Sequence, residues 1–183
     1  MGGGIWADYK ICWTIPGEED GGAWEMKAET HELNINGELL QRGFWLYVWE
    51  IKTAKKQNFY YVGRTGDSSS LNAQSPFNRM GQHLGFKKAS NVLRRRLEGK
   101  RIVPESCQFR LVSHGPILKE SKNENEYRRR RDIIAAMEKA LADEMTLAGY
   151  DVLNVVNCRR KLDEAKFASV RAAFAEHFKM LDG

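Results

Sequence analysis

Apolar residues run almost unbroken through GFWLYVWEI, residues 43 to 51. Taken as a strand, Trp45, Tyr47, Trp49 and Ile51 share one face and Leu46 and Val48 the other. Both faces are apolar, the pattern of a central strand covered on both sides. After the polar stretch KTAKKQN, the run FYYV at 59 to 62 reads as a second strand, so the two form a hairpin with a longer loop. CQFRLVSH, 107 to 114, reads as a third. Upstream, DYKICWTI and AWEMKAE flank the turn cluster PGEEDGG and predict a further hairpin, and NING, 34 to 37, punctuates the connector that follows.

Helical spacing takes over elsewhere. Ile133, Met137, Leu141, Met145 and Ala148 recur three or four apart, and Gly149 supplies a stop. Ser75 can cap a short helix with Pro76 in its first position. ASNVLRRRLE, 89 to 98, reads as a helix ended by Gly99. A last helix is expected over about 161 to 181, its stripe holding Leu162, Val170, Phe174, His177 and Leu181. In that stripe His177 reads as a core histidine. His31 and His114 carry no assignable role.

Composition narrows the class. A chain of 183 residues with 42% hydrophobic content, five Trp and eight Phe can bury a real core. The net charge of +5 favours anionic partners. Cys12, Cys107 and Cys158 are far apart and odd in number, which points to neither a disulfide framework nor a zinc site and suits a reducing, cytoplasmic setting. No apolar run reaches the length of a membrane span.

The chemistry gathers at FYYVGRTG, residues 59 to 66. A strand that ends in Tyr61 and delivers Arg64 suits an anion, although strand tyrosines ordinarily just pack. The order of motifs then resembles the GIY-YIG nucleases. Their first motif reads Trp45-Leu46-Tyr47 here and keeps only the tyrosine, while their second reads Tyr61-Val62-Gly63. NRMGQH supplies Arg79 and His83 four residues apart, Glu138 follows on the long helix, and GYDVLN ends in Asn154. The likeness covers about residues 44 to 157. It departs from the family in the lost Gly and Ile and in a longer loop between Gly63 and Arg79.

The resemblance implies hydrolysis of DNA phosphodiester bonds with one Mg²⁺ or Mn²⁺ per site. It implies Tyr47 and His83 near the attacking water, Tyr61 beside them, and Arg64 and Arg79 on phosphate. Glu138 would hold the metal, and Asn154 would position groups near it. A phenol acts as base only if its pKa is lowered, and Arg64, Arg79 and His83 are candidates to supply that field. Periodicity does not choose between Glu138, which lies about 20° outside the apolar stripe at 100° per residue, and Glu144 inside it; the family's spacing favours Glu138. Arg94, Arg95, Lys100, Arg128 and Arg131 belong to basic runs that could contact phosphates, though charge runs are commonly solvated faces.

With the likeness, the element order implies an α/β fold. A small, mostly antiparallel three-stranded sheet flanked by helices would span 43 to 157. An N-terminal hairpin would occupy 1 to 42, and a C-terminal helix, 158 to 183, would pack on the domain. One site cuts one strand, so cutting both would call for a homodimer or sequential nicks. The alternatives are a non-catalytic nucleic-acid-binding module on the same fold and a basic protein-interaction domain.

Overall fold

A computed structural model describes residues 28–67 and 71–182. The hairpin expected from DYKICWTI and AWEMKAE lies outside the described residues. The chain divides into two units, Met1–Asn34 and Ile35–Gly183. In the first, residues 28–34 carry no helix or strand and are exposed.

The second unit holds a three-stranded antiparallel sheet in the order β2-β1-β3, made of β1 (Phe44–Lys52), β2 (Asn58–Arg64) and β3 (Gln108–Leu118). It is α/β, with four α-helices among the described residues: α1 (Pro76–Leu84), α2 (Val92–Gly99), α3 (Glu124–Leu147) and α4 (Glu164–Ala175). β1 is central and buried on both faces, as its two apolar faces require. Its register with β2 sets Tyr47 opposite Gly63 and Trp49 opposite Tyr61.

Alternation splits the strands between two cores. Leu46, Val48, Tyr60 and Val62 pack with Ile134, Met137, Leu141 and Met145 of α3 and with Phe167, Val170 and Phe174 of α4. Tyr47, Trp49, Ile51, Phe59 and Tyr61 pack on Leu93 and Leu97 of α2, with Met80 and Leu84 of α1 against them. Each fully buried Leu or Met contributes about 2 kcal/mol.

Caps fix where the helices begin. The Ser75 side chain accepts from the Asn78 amide ahead of α1, and Pro76 takes the opening position. Asn123 caps α3 and Asp163 caps α4 in the same way. Beyond α3, residues 151–154 lie along the outer edge of β2. Asp151 O accepts from Tyr60 N (2.9 Å), Leu153 N donates to Tyr60 O (2.7 Å), and Val152 makes a parallel bridge to Tyr60. This segment supplies partners to an edge strand that would otherwise leave its backbone open.

The last helix is shorter than its apolar pattern suggests. α4 stops at Ala175, and the chain turns before a single 3₁₀ turn at Lys179–Asp182. His177 therefore leaves the helical stripe and is exposed, its Nδ1 3.4 Å from Arg110 Nη2, while Phe178 takes the buried place. The expectation of a core histidine is corrected. Among the described residues, no helix is long and apolar enough to cross a membrane.

Candidate active site

The site begins with a glycine that makes room for a ring. Gly63 faces Tyr47 across the β1–β2 ladder. A Cβ there would lie 2.5 Å from the Tyr47 ring and 2.7 Å from its hydroxyl. Any side chain at 63 would displace the phenol, so the Tyr-x-Gly signature has a packing reason here. Thr65, fully buried, fixes the end of β2: its hydroxyl donates to Gly43 O and accepts from Trp45 N.

Four sequence-predicted residues meet on the α1 side of the sheet. The Tyr47 hydroxyl lies 2.7 Å from His83 Nε2, and Arg79 Nε donates to the same oxygen at 3.5 Å. The His83 ring stands edge-on to Tyr61, with centroids 5.1 Å apart. Arg79 and His83 reach these phenols together because they are one turn apart on α1. Arg79 is further held by Asp67 (2.8 Å) and Gln82 (2.9 Å).

Glu138 and Arg64 arrive from the other face. Arg64 shares the parity of Tyr60 and Val62, so its side chain emerges on the α3 side. There it donates from Nε to Glu138 Oε2 at 2.8 Å, both side chains being 16% exposed. Tyr61 and Arg64 are thus not presented together, as the stretch FYYVGRTG suggested. The helix bearing Glu138 packs on the face opposite Tyr47. Even so, the carboxylate sits at the strand end, near enough to raise both phenols, and Arg79 is near enough to lower the carboxyl. Glu144 is elsewhere, paired with Arg171 at 2.6 Å.

Burial governs the ionisation of this cluster. It drives the Tyr47 phenol far above the ordinary tyrosine range, with Arg79 opposing and Tyr61 and Glu138 adding to the rise. Burial likewise pushes Tyr61 up to about 12, with Glu138 adding to it. His83 is lowered to about 3 by burial and by the Arg79 charge, so the imidazole is neutral near pH 7. Of the cations that could lower the Tyr47 pKa, Arg79 acts in that sense but burial outweighs it, and the neutral His83 adds no charge. Glu138 is raised to about 6, burial outweighing the Arg64 guanidinium.

Asn154 has a more local task than expected. Its Oδ1 accepts from Val62 N (3.0 Å) and its Nδ2 donates to Val62 O (2.7 Å). The amide thus imitates a neighbouring strand and clamps β2 between Tyr61 and Gly63.

The basic runs are largely spoken for. Arg94 is only 12% exposed in its side chain and is bound to Glu98, Glu105 and Leu84 O. Arg128 pairs with Glu124, and Arg131 lies 3.4 Å from Asp132. Lys100 sits over the Phe59 ring at 5.2 Å. Arg95 is exposed. Sequence reasoning missed Asp67 and Gln82, two further partners of Arg79; the signal was their position in the loop and helix that flank it.

No family model, curated protein or solved structure matches the chain.

Proposed function

We propose that this chain is a divalent-metal-dependent endonuclease of GIY-YIG type that hydrolyses DNA phosphodiester bonds. The observation that carries the reading is the convergence of Tyr47, His83 and Arg79 within hydrogen-bonding distance, with Arg64 and Glu138 joined at the end of β2, the strand paired with that of Tyr47. These residues are scattered over 92 positions of chain, and local packing alone gives no reason for a buried Tyr–His pair joined by Arg79 beside a partly buried ion pair.

The carboxylate fits a hard cation such as Mg²⁺ or Mn²⁺. Glu138 is an oxygen donor whose burial is only partly offset by the Arg64 guanidinium at 2.8 Å, so its ionised form has room for further positive charge. A single carboxylate suits an ion that keeps most of its shell for water and phosphate. Glu138 would hold the metal, which supplies Lewis-acid polarisation of the phosphate and a more acidic bound water.

The remaining work falls to this chain's own groups. Arg79 is tied to Asp67, which is 39% exposed, so a phosphate can take the place of the carboxylate on the guanidinium. Arg79 would then neutralise charge developing on the phosphoryl oxygens. Because the Tyr47 phenol is only 1% exposed and stays protonated, it acts by orienting. The Arg79 Nε–H points at its oxygen, which leaves the phenol O–H to donate to the neutral His83. Asp67, 39% exposed, marks the side from which a water would enter.

The Arg64–Glu138 bond favours a second reading, a nucleic-acid-binding module without catalysis, because it already occupies the metal ligand. Nicking of supercoiled plasmid separates the two. Under the nuclease reading, native protein nicks with Mg²⁺, is silent in EDTA, and Tyr47→Phe nicks about a hundredfold more slowly. Plasmid binding with no nicking under Mg²⁺ or Mn²⁺ would overturn the nuclease and leave the binding module.

A further inference from the structure

The outer face of α1 carries a feature that the reaction itself does not use. His83 and Arg79 point inward, while Asn78, Gly81, Gln82 and Gly85 line a groove of about 340 Å³ closed by Phe86 and Lys87. Gly81 has open space where a Cβ would stand, so the groove floor lies close to backbone. Phe86 is 81% exposed, whereas most of the described aromatic rings are buried.

The ring is held in place. The Arg94 guanidinium lies over it, 4.3 Å from the centroid. Arg94 is itself fixed by Glu98, Glu105 and the Leu84 carbonyl, which spends its charge and leaves it a bracket. One ring face is therefore backed by a cation and the ring remains open to solvent, the form of a preorganised stacking platform. Lys87 and Lys88 follow on an exposed stretch, and among the described residues no carboxylate lines the groove. Gln82 belongs to both places: it lines the groove, and its Oε1 accepts from Arg79 Nη1 at 2.9 Å.

We propose that this groove seats an unpaired nucleobase, stacked on Phe86, one step along the strand from the phosphate bound at Arg79. This rests on the nuclease reading for the position of the phosphate. Stacking accepts any base, Lys87 and Lys88 answer the adjoining phosphates, and a paired base in a continuous duplex cannot offer its face. The protein therefore prefers substrates with a nick, flap or frayed end.

The test is binding of 2-aminopurine oligonucleotides in EDTA, where nothing is cut, by native protein and Phe86→Ala. The probes are a single strand, a duplex with a single-stranded flap carrying the fluorophore, and the continuous duplex. Phe86 is exposed, so the variant should melt with the native protein. Native protein should quench 2-aminopurine in the first two probes. Phe86→Ala should bind them roughly tenfold more weakly while duplex binding stays within about twofold. Phe86→Trp should restore binding and quenching. Equal binding of all three probes by native protein and Phe86→Ala would overturn the proposal, as would a loss that is the same on continuous duplex. Both results would leave plasmid nicking untouched. Failure of native protein to bind any probe would remove the nucleic-acid reading as well as this one.

Discussion

On the α3 side of the sheet, Leu46, Val48, Tyr60 and Val62 meet a wall of Ile134, Met137, Leu141, Met145 and Phe174. On the α1 side, the alternate residues of the same strands meet His83 and Arg79 as well as Leu93 and Leu97. The first face is mainly apolar contact, with the Arg64–Glu138 pair at its strand end. The second buries a phenol–imidazole pair, and among the described residues His83 Nδ1 and Trp49 Nε1 are buried there without a hydrogen-bond partner. Such atoms cost stability. One twisted ladder thus carries stabilisation on one side and a polar constellation on the other. Glu138 is the exception that links them: it belongs to the stabilising helix yet sits at the strand end, where the polar side can feel it.

Replacing Glu138 tests that link most severely. Glu138→Gln should lower plasmid nicking about 10³-fold, the scale of several kcal/mol expected for a lost metal ligand. At pH 8 it should melt no lower than native protein, because the ionised carboxylate it removes is disfavoured by burial. A variant that melts much lower, with nicking reduced only in proportion to unfolding, would make Glu138 a structural residue and erase the contrast between the faces.

Leu141→Ala should do the reverse. Leu141 is fully buried among α3, α4 and sheet residues. Its truncation should cost about 3 kcal/mol in urea unfolding. Nicking per folded molecule should stay within about twofold at a temperature where the variant is native. A specific loss of turnover would mean that α3 tunes the site through more than Glu138.

Asn154 lies between these extremes. Asn154→Ala removes two buried bonds to Val62 and should cost about 2 kcal/mol. Because the clamp holds β2 between Tyr61 and Gly63, nicking should fall as well, more than for Leu141→Ala and less than for Glu138→Gln. Asn154→Asp keeps the acceptor but loses the donor and should recover part of the stability and little of the rate.

Much of this was legible in residue order because it follows from local periodicity. The double apolar face of β1 gave its central place, the Ser75–Pro76 pair gave the start of α1, and four-residue spacing put Arg79 and His83 on one face. Strand parity already assigned Tyr61 and Arg64 to opposite faces, and a reading that kept them together overlooked it. Other features depend on depth and on partners far along the chain. The ionisation of Tyr47 follows from how completely its hydroxyl is enclosed. Arg94 looks like a phosphate contact until Glu105, eleven residues on, reaches it. His177 fitted an apolar stripe that held only while α4 continued.

The smallest effect is also the most discriminating, because Glu138 and His83 titrate in opposite senses. His83 is lowered from 6.5 to about 3, so between those values the unfolded chain binds more protons than the native one, and stability is lost as pH falls. Glu138 is raised from 4.5 to about 6, so in that window the native state holds the extra proton, and stability is lost as pH rises. From pH 4.5 to 6 the two contributions oppose each other, each with a slope of up to about 1.4 kcal/mol per pH unit. His114, also lowered by burial, acts in the same sense as His83 and is common to native protein and variant. The difference in unfolding free energy between native protein and Glu138→Gln therefore isolates the carboxyl. It should move by about 2 kcal/mol against the native protein as pH rises across that window, while the variant alone gains stability over the same range. At sub-saturating Mg²⁺, nicking by native protein should rise with pH as Glu138 ionises. A pH-independent difference would place Glu138 in ordinary solvent-like surroundings and remove the strained carboxylate on which the metal assignment depends.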